Sequence, residues 1–414
     1  IKTSAKFGIS RTLSETSICR RTVNRSKTID RGRFSLNPSS MHTDQDFMTT
    51  ALRLSRRGLG NVWPNPAVGC VIVSGGPDKR VLGRGWTQPG GRPHAETVAL
   101  DQARARFGAP ALVGATAYVT LEPCSHLGRT PPCADALISA RVARVVVACG
   151  DPDTRVAGRG IVRLRDAGID VETDVCRAEA EDINVGFLTR VGEGRPMVAL
   201  KTATTSDGRI ATRTGDSQWI TGAPARRHAH LLRARHDAIA VGIGTAQADD
   251  PSLTCRLPGM DGRSPVRVVF DSQLRISLES ELVRTASDVQ TWVLSAAKTD
   301  KERRKALESA GVMVVPIEDV VDGQPEPGAA LRALGAMGIT RLMVEGGARL
   351  STGLLRAGLV DRLLWFRAPS LIGGDGLPPF GDLGVGDVAE MPTFKPMSRV
   401  PVGDDTLEIF ARVP

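Results

Sequence analysis

No stretch of this 414-residue chain is apolar over the roughly eighteen residues that a membrane-spanning helix needs, and the longest such run, around residues 142–149, is broken by Arg144. Aromatic residues are scarce, at 4% of the chain with Tyr118 the single tyrosine, which argues against a surface that stacks nucleobases. Cysteine is too thinly spread for a disulfide framework. The seven cysteines (Cys19, Cys70, Cys124, Cys133, Cys149, Cys176, Cys255) are an odd number and fit free or metal-bound thiols in a reducing compartment. A dinucleotide fingerprint is missing as well, because Gly242-Ile243-Gly244 is followed by Thr245-Ala246-Gln247 and lacks the third glycine. Charge is nearly balanced beyond the amino terminus. Residues 1–40 hold nine Lys/Arg against Glu15 and Asp30, whereas the rest carries 45 basic and 43 acidic groups, so the body offers no footprint for a polyanion.

The basic extension over 1–40 is rich in Ser, Thr and Arg, lacks an apolar stripe and is expected to be disordered. Its composition is that of an organelle transit segment; the alternative, which we favour, is that Met41 is the natural start, since the first helical pattern begins directly after it. A cytoplasmic location follows from the second reading and an organelle from the first.

What the chain does contain is a concentrated set of metal ligands. His94-Ala95-Glu96 opens a helical run, residues 117–121 read as a strand, and Glu122-Pro123-Cys124 and Cys133 follow. The His94 imidazole and the Cys124 and Cys133 thiolates can fill three corners of a zinc tetrahedron and leave the fourth for water, the arrangement of a catalytic site. Glu96, on the same helical turn, is then the proton carrier. His-x-Glu followed by Pro-Cys and a second Cys is the zinc-deaminase signature, here with eight residues between the cysteines rather than the familiar two. A structural zinc would take a fourth protein ligand, and the nearest candidate, His126, is better placed on the pocket rim. Asn65, pinned between Pro64 and Pro66, is either a turn residue or a group that bonds a polar ring.

Helices expected over 44–59, 93–100, 134–139, 160–167 and 178–191 alternate with strands over 70–73, 81–86, 117–121 and 143–149. After a glycine-rich turn at 192–196, strands over 197–203, 238–242, 266–270, 289–294, 312–315, 341–344 and 363–366 alternate with helices over 223–235, 299–309, 329–335 and 349–357, with a short strand after Asp207. The pattern gives two α/β parts, divided at 191/192, the second a sheet covered by helices on both faces. Local chemistry in the second part is open. Glu345-Gly346-Gly347-Ala348-Arg349 between a strand and a helix could hold a phosphate or be an ordinary tight turn, and Arg233 and Arg256 are phosphate forks or solvated groups.

Residues 64–73 (PNPAVGCVIV), 85–96 (GWTQPGGRPHAE), 120–133 (TLEPCSHLGRTPPC) and 156–161 (VAGRGI) resemble, in order and spacing, the deaminase half of the bifunctional riboflavin-biosynthesis deaminase/reductase family. Residues 201–221, 241–256 and 344–355 resemble its reductase half. The resemblance implies a cytidine-deaminase-like three-layer α/β/α domain over 41–191 and a dihydrofolate-reductase-like α/β domain over 192–414. It implies one zinc ion per chain and zinc-dependent hydrolytic deamination of 2,5-diamino-6-(5-phosphoribosylamino)pyrimidin-4-one, then NADPH-dependent reduction of the ribosyl group to ribityl. Carried over by position, Ala203, Trp219, Thr245, Asp249, Ser272 and the segment Gly347, Ala348, Arg349, Leu350, Ser351, Thr352 and Gly353 would contact NADPH. Ser217, Arg233, Leu253, Arg256 and Glu345, with Asn65, His126 and Lys201, would contact substrate. Thr87 departs from the family by standing where a His is frequent, and Asp153-Thr154-Arg155 replaces an Asn-Pro-containing loop. A homo-oligomer, dimer or tetramer, is implied too. The alternative reading is a zinc-dependent nucleobase deaminase with a non-catalytic C-terminal binding domain, against which the near-neutral body and the few aromatics speak.

Overall fold

The computed structural model describes residues 43–126, 131–154 and 156–413, and the basic extension expected over 1–40 lies outside them. Two sheets organise the described chain. The first holds strands β1 (Gly69–Val73), β2 (Val81–Trp86), β3 (Thr116–Val119), β4 (Arg144–Val147) and β5 (Asp170–Glu172) in the order β2-β1-β3-β4-β5. Helices α1 (Asp44–Ser55), α2 (Ala95–Phe107), α3 (Cys133–Ser139), α4 (Arg159–Asp166) and α5 (Arg177–Glu193) accompany it. β1 pairs antiparallel with β2 and β3, while β3, β4 and β5 run parallel. All five residues of β1 are buried, as a strand covered on both faces requires. Thr43 starts α1 with a capping box to Asp46. The Asp44 carboxylate then takes both arms of the Arg144 guanidinium at 2.9 Å and the Tyr118 hydroxyl at 2.6 Å, which fastens the helix start to the sheet.

The second part contains β6 (Met197–Thr205), α6 (Ala223–Arg233), β7 (Ala238–Gly242), α7 (Ile243–Asp249), β8 (Val266–Phe270), α8 (Glu281–Arg284), β9 (Thr291–Ala296), α9 (Lys301–Ser309) and β10 (Met313–Ile317). The small pair β11 (Val320–Val321) and β12 (Gln324–Pro325) follows, then α10 (Pro327–Ala336), β13 (Arg341–Glu345), α11 (Ala348–Arg356), β14 (Arg362–Ala368), β15 (Phe394–Val402) and β16 (Asp405–Arg412). Nine of these strands form one sheet, β10-β9-β8-β7-β13-β6-β14-β16-β15, parallel from β10 to β14 and antiparallel over the last two. Alternate strand residues feed two cores. Met197, Ala199, Ile239, Val241, Val269 and Met343 pack with α6, α7, α8 and α9 on one face. Val198, Leu200, Ala240, Val268, Leu342 and Val344 pack with α10 and α11 on the other. One expectation is corrected. The short strand after Asp207 is only an isolated bridge, Ala211 to Leu377, because Thr205 and Gly208 close a tight turn there. The carboxyl-terminal hairpin β15–β16 has no counterpart in the sequence reading.

The two parts meet along a seam at the amino-terminal ends of the second sheet's parallel strands. Arg263, just before β8, donates to Arg57 O (3.3 Å), Leu59 O (2.6 Å) and Ala234 O (3.2 Å). Arg190 of α5 donates to Gly335 O at 2.7 Å, Arg341 donates to Ile183 O at 3.3 Å, and Trp63 meets Trp292 edge to face at 6.4 Å.

Candidate active sites

The ends of β1, β2 and β3 lie side by side, because Gly69 pairs with Trp86 and Cys70 with Val119. The loops leaving these ends carry Asn65, His94 and Cys124 to one rim of the first sheet. His94 sits one residue ahead of α2 rather than in it, with extended backbone (φ −70°, ψ 160°), and Glu96 occupies the first helical turn. The offset turns the imidazole towards the cysteines. His94 Nδ1 stands 3.7 Å from Cys124 Sγ and 3.3 Å from Cys133 Sγ, and the three ligand atoms all lie within 4.8 Å of one another. A tetrahedral zinc ion, with bonds of about 2.3 Å to sulfur and about 2.0 Å to nitrogen, sets such ligands roughly 3.6 Å apart. The residues present therefore fit zinc.

The electrostatics favour the same use. The Cys133 thiol, the His94 ring and the Cys133 backbone N–H (3.3 Å) donate to Cys124 and, against its burial, hold its thiol down at about 4. Cys133 is pushed up by that shared hydrogen bond and by burial, and His94 is raised chiefly by its contact with Cys124. Glu96 is 3% exposed. Burial first, and then the Cys124 charge, push its carboxyl up to about 7, where it can both accept and release a proton near neutrality.

Around this centre Asn65 is half-buried, and its side-chain amide makes no hydrogen bond among the described residues. Gly91, at φ 81°, permits that placement, since a Cβ there would come within 1.9 Å of Asn65 Nδ2. His126 keeps a buried Nδ1 with no partner. Thr87 is buried and its hydroxyl accepts from Val68 N at 3.0 Å, so that side chain is committed to the backbone. Glu122 was given no role by sequence reasoning. Its buried carboxylate accepts from the backbone N–H groups of Asp151 (3.3 Å), Gly158 (3.0 Å), Gly160 (2.9 Å) and Ile161 (3.3 Å), and so holds the loop residues Asp151 and Gly158 and the start of α4 close to Cys124, two residues on from Glu122 itself. Only the adjacency of Glu122 to the Pro-Cys pair hinted at this in the sequence.

A second constellation lies towards the carboxyl-terminal ends of the nine-stranded sheet. The Arg233 guanidinium, at the end of α6, grips both oxygens of Glu345 at 2.8 Å, and Lys201 Nζ from β6 lies 3.9 Å from the same carboxylate. Burial would raise Glu345, but the charges of Arg233 and Lys201 prevail and hold it down at about 2. Arg233 also donates to Thr254 O at 2.9 Å, which draws the 252–256 loop, with buried Leu253 and exposed Arg256, beside the cluster. β7 and β13 are neighbours, so the helices they lead into, α7 and α11, begin next to each other. Gly346 (φ 90°) and Gly347 (φ 85°) make the turn, and a Cβ on Gly347 would sit 3.2 Å from Thr245 Oγ1. Thr245 and the Gly347–Gly353 segment are thus brought together at a strand-to-helix crevice, where open α/β sheets bind nucleotides.

Other expected contacts are placed less directly. Ser351 and Thr352 are buried, and the Thr352 hydroxyl donates to Ala348 O (2.6 Å) and accepts from Gly381 N (2.8 Å). Ser272 is 1% exposed with an unpartnered hydroxyl, Ala203 is half-buried in β6, and Asp249 is exposed at the end of α7. Ser217 and Trp219 lie on an exposed segment, the Trp219 ring under the Arg226 guanidinium at 4.5 Å.

Residues 41–149 match the family described as the cytidine and deoxycytidylate deaminase zinc-binding region, and residues 196–407 match the RibD C-terminal domain. The riboflavin biosynthesis protein RibD of Escherichia coli is 42% identical over 373 residues, covering 87% of this chain and 97% of that protein. The RibD of Aquifex aeolicus is 39% identical, covering 89% of this chain and 98% of its own length. Among solved structures, Acinetobacter baumannii RibD superposes with a TM-score of 0.78 at 37% identity over 90% of this chain and 99% of that one. A Thermotoga maritima diaminohydroxyphosphoribosylaminopyrimidine deaminase/5-amino-6-(5-phosphoribosylamino)uracil reductase does so with a TM-score of 0.77 at 33% identity, over 89% and 99% of the two chains. With the histidine–cysteine–cysteine centre in one part and the Lys201–Arg233–Glu345 cluster in the other, the chain belongs to the RibD family of bifunctional riboflavin-biosynthesis deaminase/reductases.

Proposed function

We infer that the protein performs two successive steps of riboflavin biosynthesis: hydrolytic deamination of 2,5-diamino-6-(5-phosphoribosylamino)pyrimidin-4-one, then NADPH-dependent reduction of the product's ribosyl group to ribityl. We assign residues 41–191 to the first step and 192–414 to the second, a division supported by the change of sheet between β5 and β6. His94, Cys124 and Cys133 would hold one zinc ion per chain. The chemistry such an ion supplies is polarisation of a water molecule towards neutral pKa. Glu96 takes a proton from the attacking water at its carboxylate and hands it to the departing amino nitrogen, which leaves as ammonia while the ring carbon gains a carbonyl. Asn65 and His126 offer ring-directed hydrogen bonds.

In the second part, NADPH supplies the hydride. The turn of Gly346 and Gly347, the start of α11 and Thr245 are the proposed cradle for its phosphates, with Ala203, Trp219, Asp249 and Ser272 along its length. Lys201, Arg233 and Glu345, with Ser217, Leu253 and Arg256, are proposed to hold the phosphorylated sugar. The substrate is a small molecule and no nucleic acid takes part. We propose a homo-oligomer, dimer or tetramer, joined through the stretch where Leu371, Val388, Met391 and Met397 stand exposed. A cytoplasmic setting is part of the proposal. None of the described helices is long and apolar enough to cross a membrane.

The observation that carries the reading is the ligand triad with a buried, near-neutral Glu96 at its side. The test is a coupled assay on zinc-loaded protein that follows ammonia release and NADPH consumption together. Both signals are expected, and Glu96→Ala should abolish both, because the reductase is starved of its substrate. Ammonia without NADPH oxidation would reduce the second part to a binding domain.

A further inference from the structure

Asn184 lies on the buried side of α5 with Ile183 and Phe187 and is 3% exposed. Asparagine is a weak helix former, and an amide buried among apolar neighbours costs stability unless it is hydrogen-bonded. Both ends of this amide are bonded, and to one residue. Asn184 Oδ1 accepts from Ala67 N at 2.9 Å and Nδ2 donates to Ala67 O at 3.2 Å, across 117 positions of sequence. The two backbone groups dictate which end of the amide faces which, so the clamp has a single orientation. Ala67 belongs to the loop that carries Asn65. Pro64 and Pro66 have no N–H to give, Asn65 N donates to Val62 O at 3.0 Å, and Val68 N donates to Thr87 Oγ1 at 3.0 Å. Every backbone donor from Pro64 to Val68 is thereby bound, and Asn184 supplies the strand-like partner that Ala67 lacks ahead of β1.

What the clamp holds steady is Asn65, whose side-chain amide has no partner among the described residues. That amide lies against the backbone of Gly91, where a Cβ would come within 1.9 Å of Asn65 Nδ2, and Gly91 stands in the loop that runs on to His94. Gly90 N donates to Asn61 O at 2.9 Å, so the two loops are tied to each other as well. The helix behind the clamp is itself seated on the second part. Arg341, at the start of β13, donates to Ile183 O at 3.3 Å, and a Cβ on Gly186 would stand 2.6 Å from Thr340 O. We propose that Asn184 is a positioning residue for the deamination, one that acts through Asn65 from a helix docked on the other part of the chain. The proposal rests on the deaminase reading above and adds to it the residue that sets Asn65 towards the pyrimidine ring.

The test measures ammonia release by zinc-loaded parent protein, Asn65→Ala, Asn184→Ala and the double variant, at equal zinc content and with folding confirmed by circular dichroism and urea unfolding. Asn184→Ala should raise KM for the pyrimidine roughly tenfold with a smaller change in kcat, because a displaced Asn65 weakens the hold on the ring. A mere loss of folded protein would instead lower kcat and leave KM alone. The double variant should lose no more than Asn65→Ala alone, to within about twofold, since both changes remove one interaction. Losses that multiply, an unchanged KM in Asn184→Ala, or an Asn65→Ala variant as active as the parent each overturn the proposal. Should Asn184→Ala prove unfolded, Asn184→Asp takes its place with the same outcomes expected, because it keeps the acceptor for Ala67 N and loses the donor to Ala67 O. Should the parent release no ammonia, the deaminase reading itself fails and the proposal falls with it.

Discussion

Replacing Glu122 with Gln removes one carboxylate oxygen, and each oxygen of that carboxylate carries two backbone bonds: Oε2 those of Asp151 and Gly158, Oε1 those of Gly160 and Ile161. The new amide nitrogen is a donor facing donors, so two of the four bonds are lost outright. Hydrogen bonds to a charged acceptor contribute about 1.5–3 kcal/mol each, and partial relaxation of the loop into water recovers some of that loss, so Glu122→Gln should cost about 3 kcal/mol. Urea unfolding of zinc-loaded protein, with equal metal content verified in both proteins, measures it. Hydrogen exchange should accelerate at Gly158, Gly160 and Ile161, and ammonia release should fall at least roughly tenfold because the loop no longer stands in place beside Cys124. An unfolding free energy within about 0.5 kcal/mol of the parent, with unchanged exchange at those amides, would refute the reasoning.

Further outcomes follow from the two sites. Chelating the zinc should end ammonia release yet leave NADPH oxidation intact when the deaminated intermediate is supplied, since Lys201, Arg233 and Glu345 belong to the other part; loss of both activities would contradict this independence. Glu345 is depressed in the folded state from 4.5 to about 2, so its contribution is fully present above about pH 4.5 and is lost as pH falls through about 2. That window corresponds to about 3 kcal/mol, and denaturant titrations between pH 6 and pH 2 should show Glu345→Gln losing less stability on acidification than the parent.

The proposed metal ligands are legible because they depend on residue identity and short spacing, and the structure brings His94, Cys124 and Cys133 together. His94, Glu96, Cys124 and Cys133 were named from sequence, and the structure shifts only the helix start, which puts His94 at the cap. Long periodic elements such as α1, β8 and α10 were read to within a few residues. What escaped was set by tertiary partners. Glu122 works by accepting backbone groups some thirty to forty residues away, a relation that leaves no periodicity. The hairpin β15–β16 was missed because Lys395, Pro396 and Pro401 break strand patterning, yet β15 is an edge strand, where a missing N–H can face solvent. Three-residue β5 is too short to carry a pattern at all. The seam contacts of Arg190, Arg263 and Arg341 run to carbonyl oxygens, which every residue possesses.

That seam has a further consequence for the order of events. It occupies the amino-terminal rim of the nine-stranded sheet, whereas Glu345, Thr245 and the glycine turn lie at the opposite rim, the length of a strand away. The contacts that join the two parts are thus separate from the residues proposed to reduce the intermediate. What the joining of the two parts secures is parity: every deaminating centre is made with one reducing centre, so the supply of the intermediate and the capacity to consume it rise and fall together.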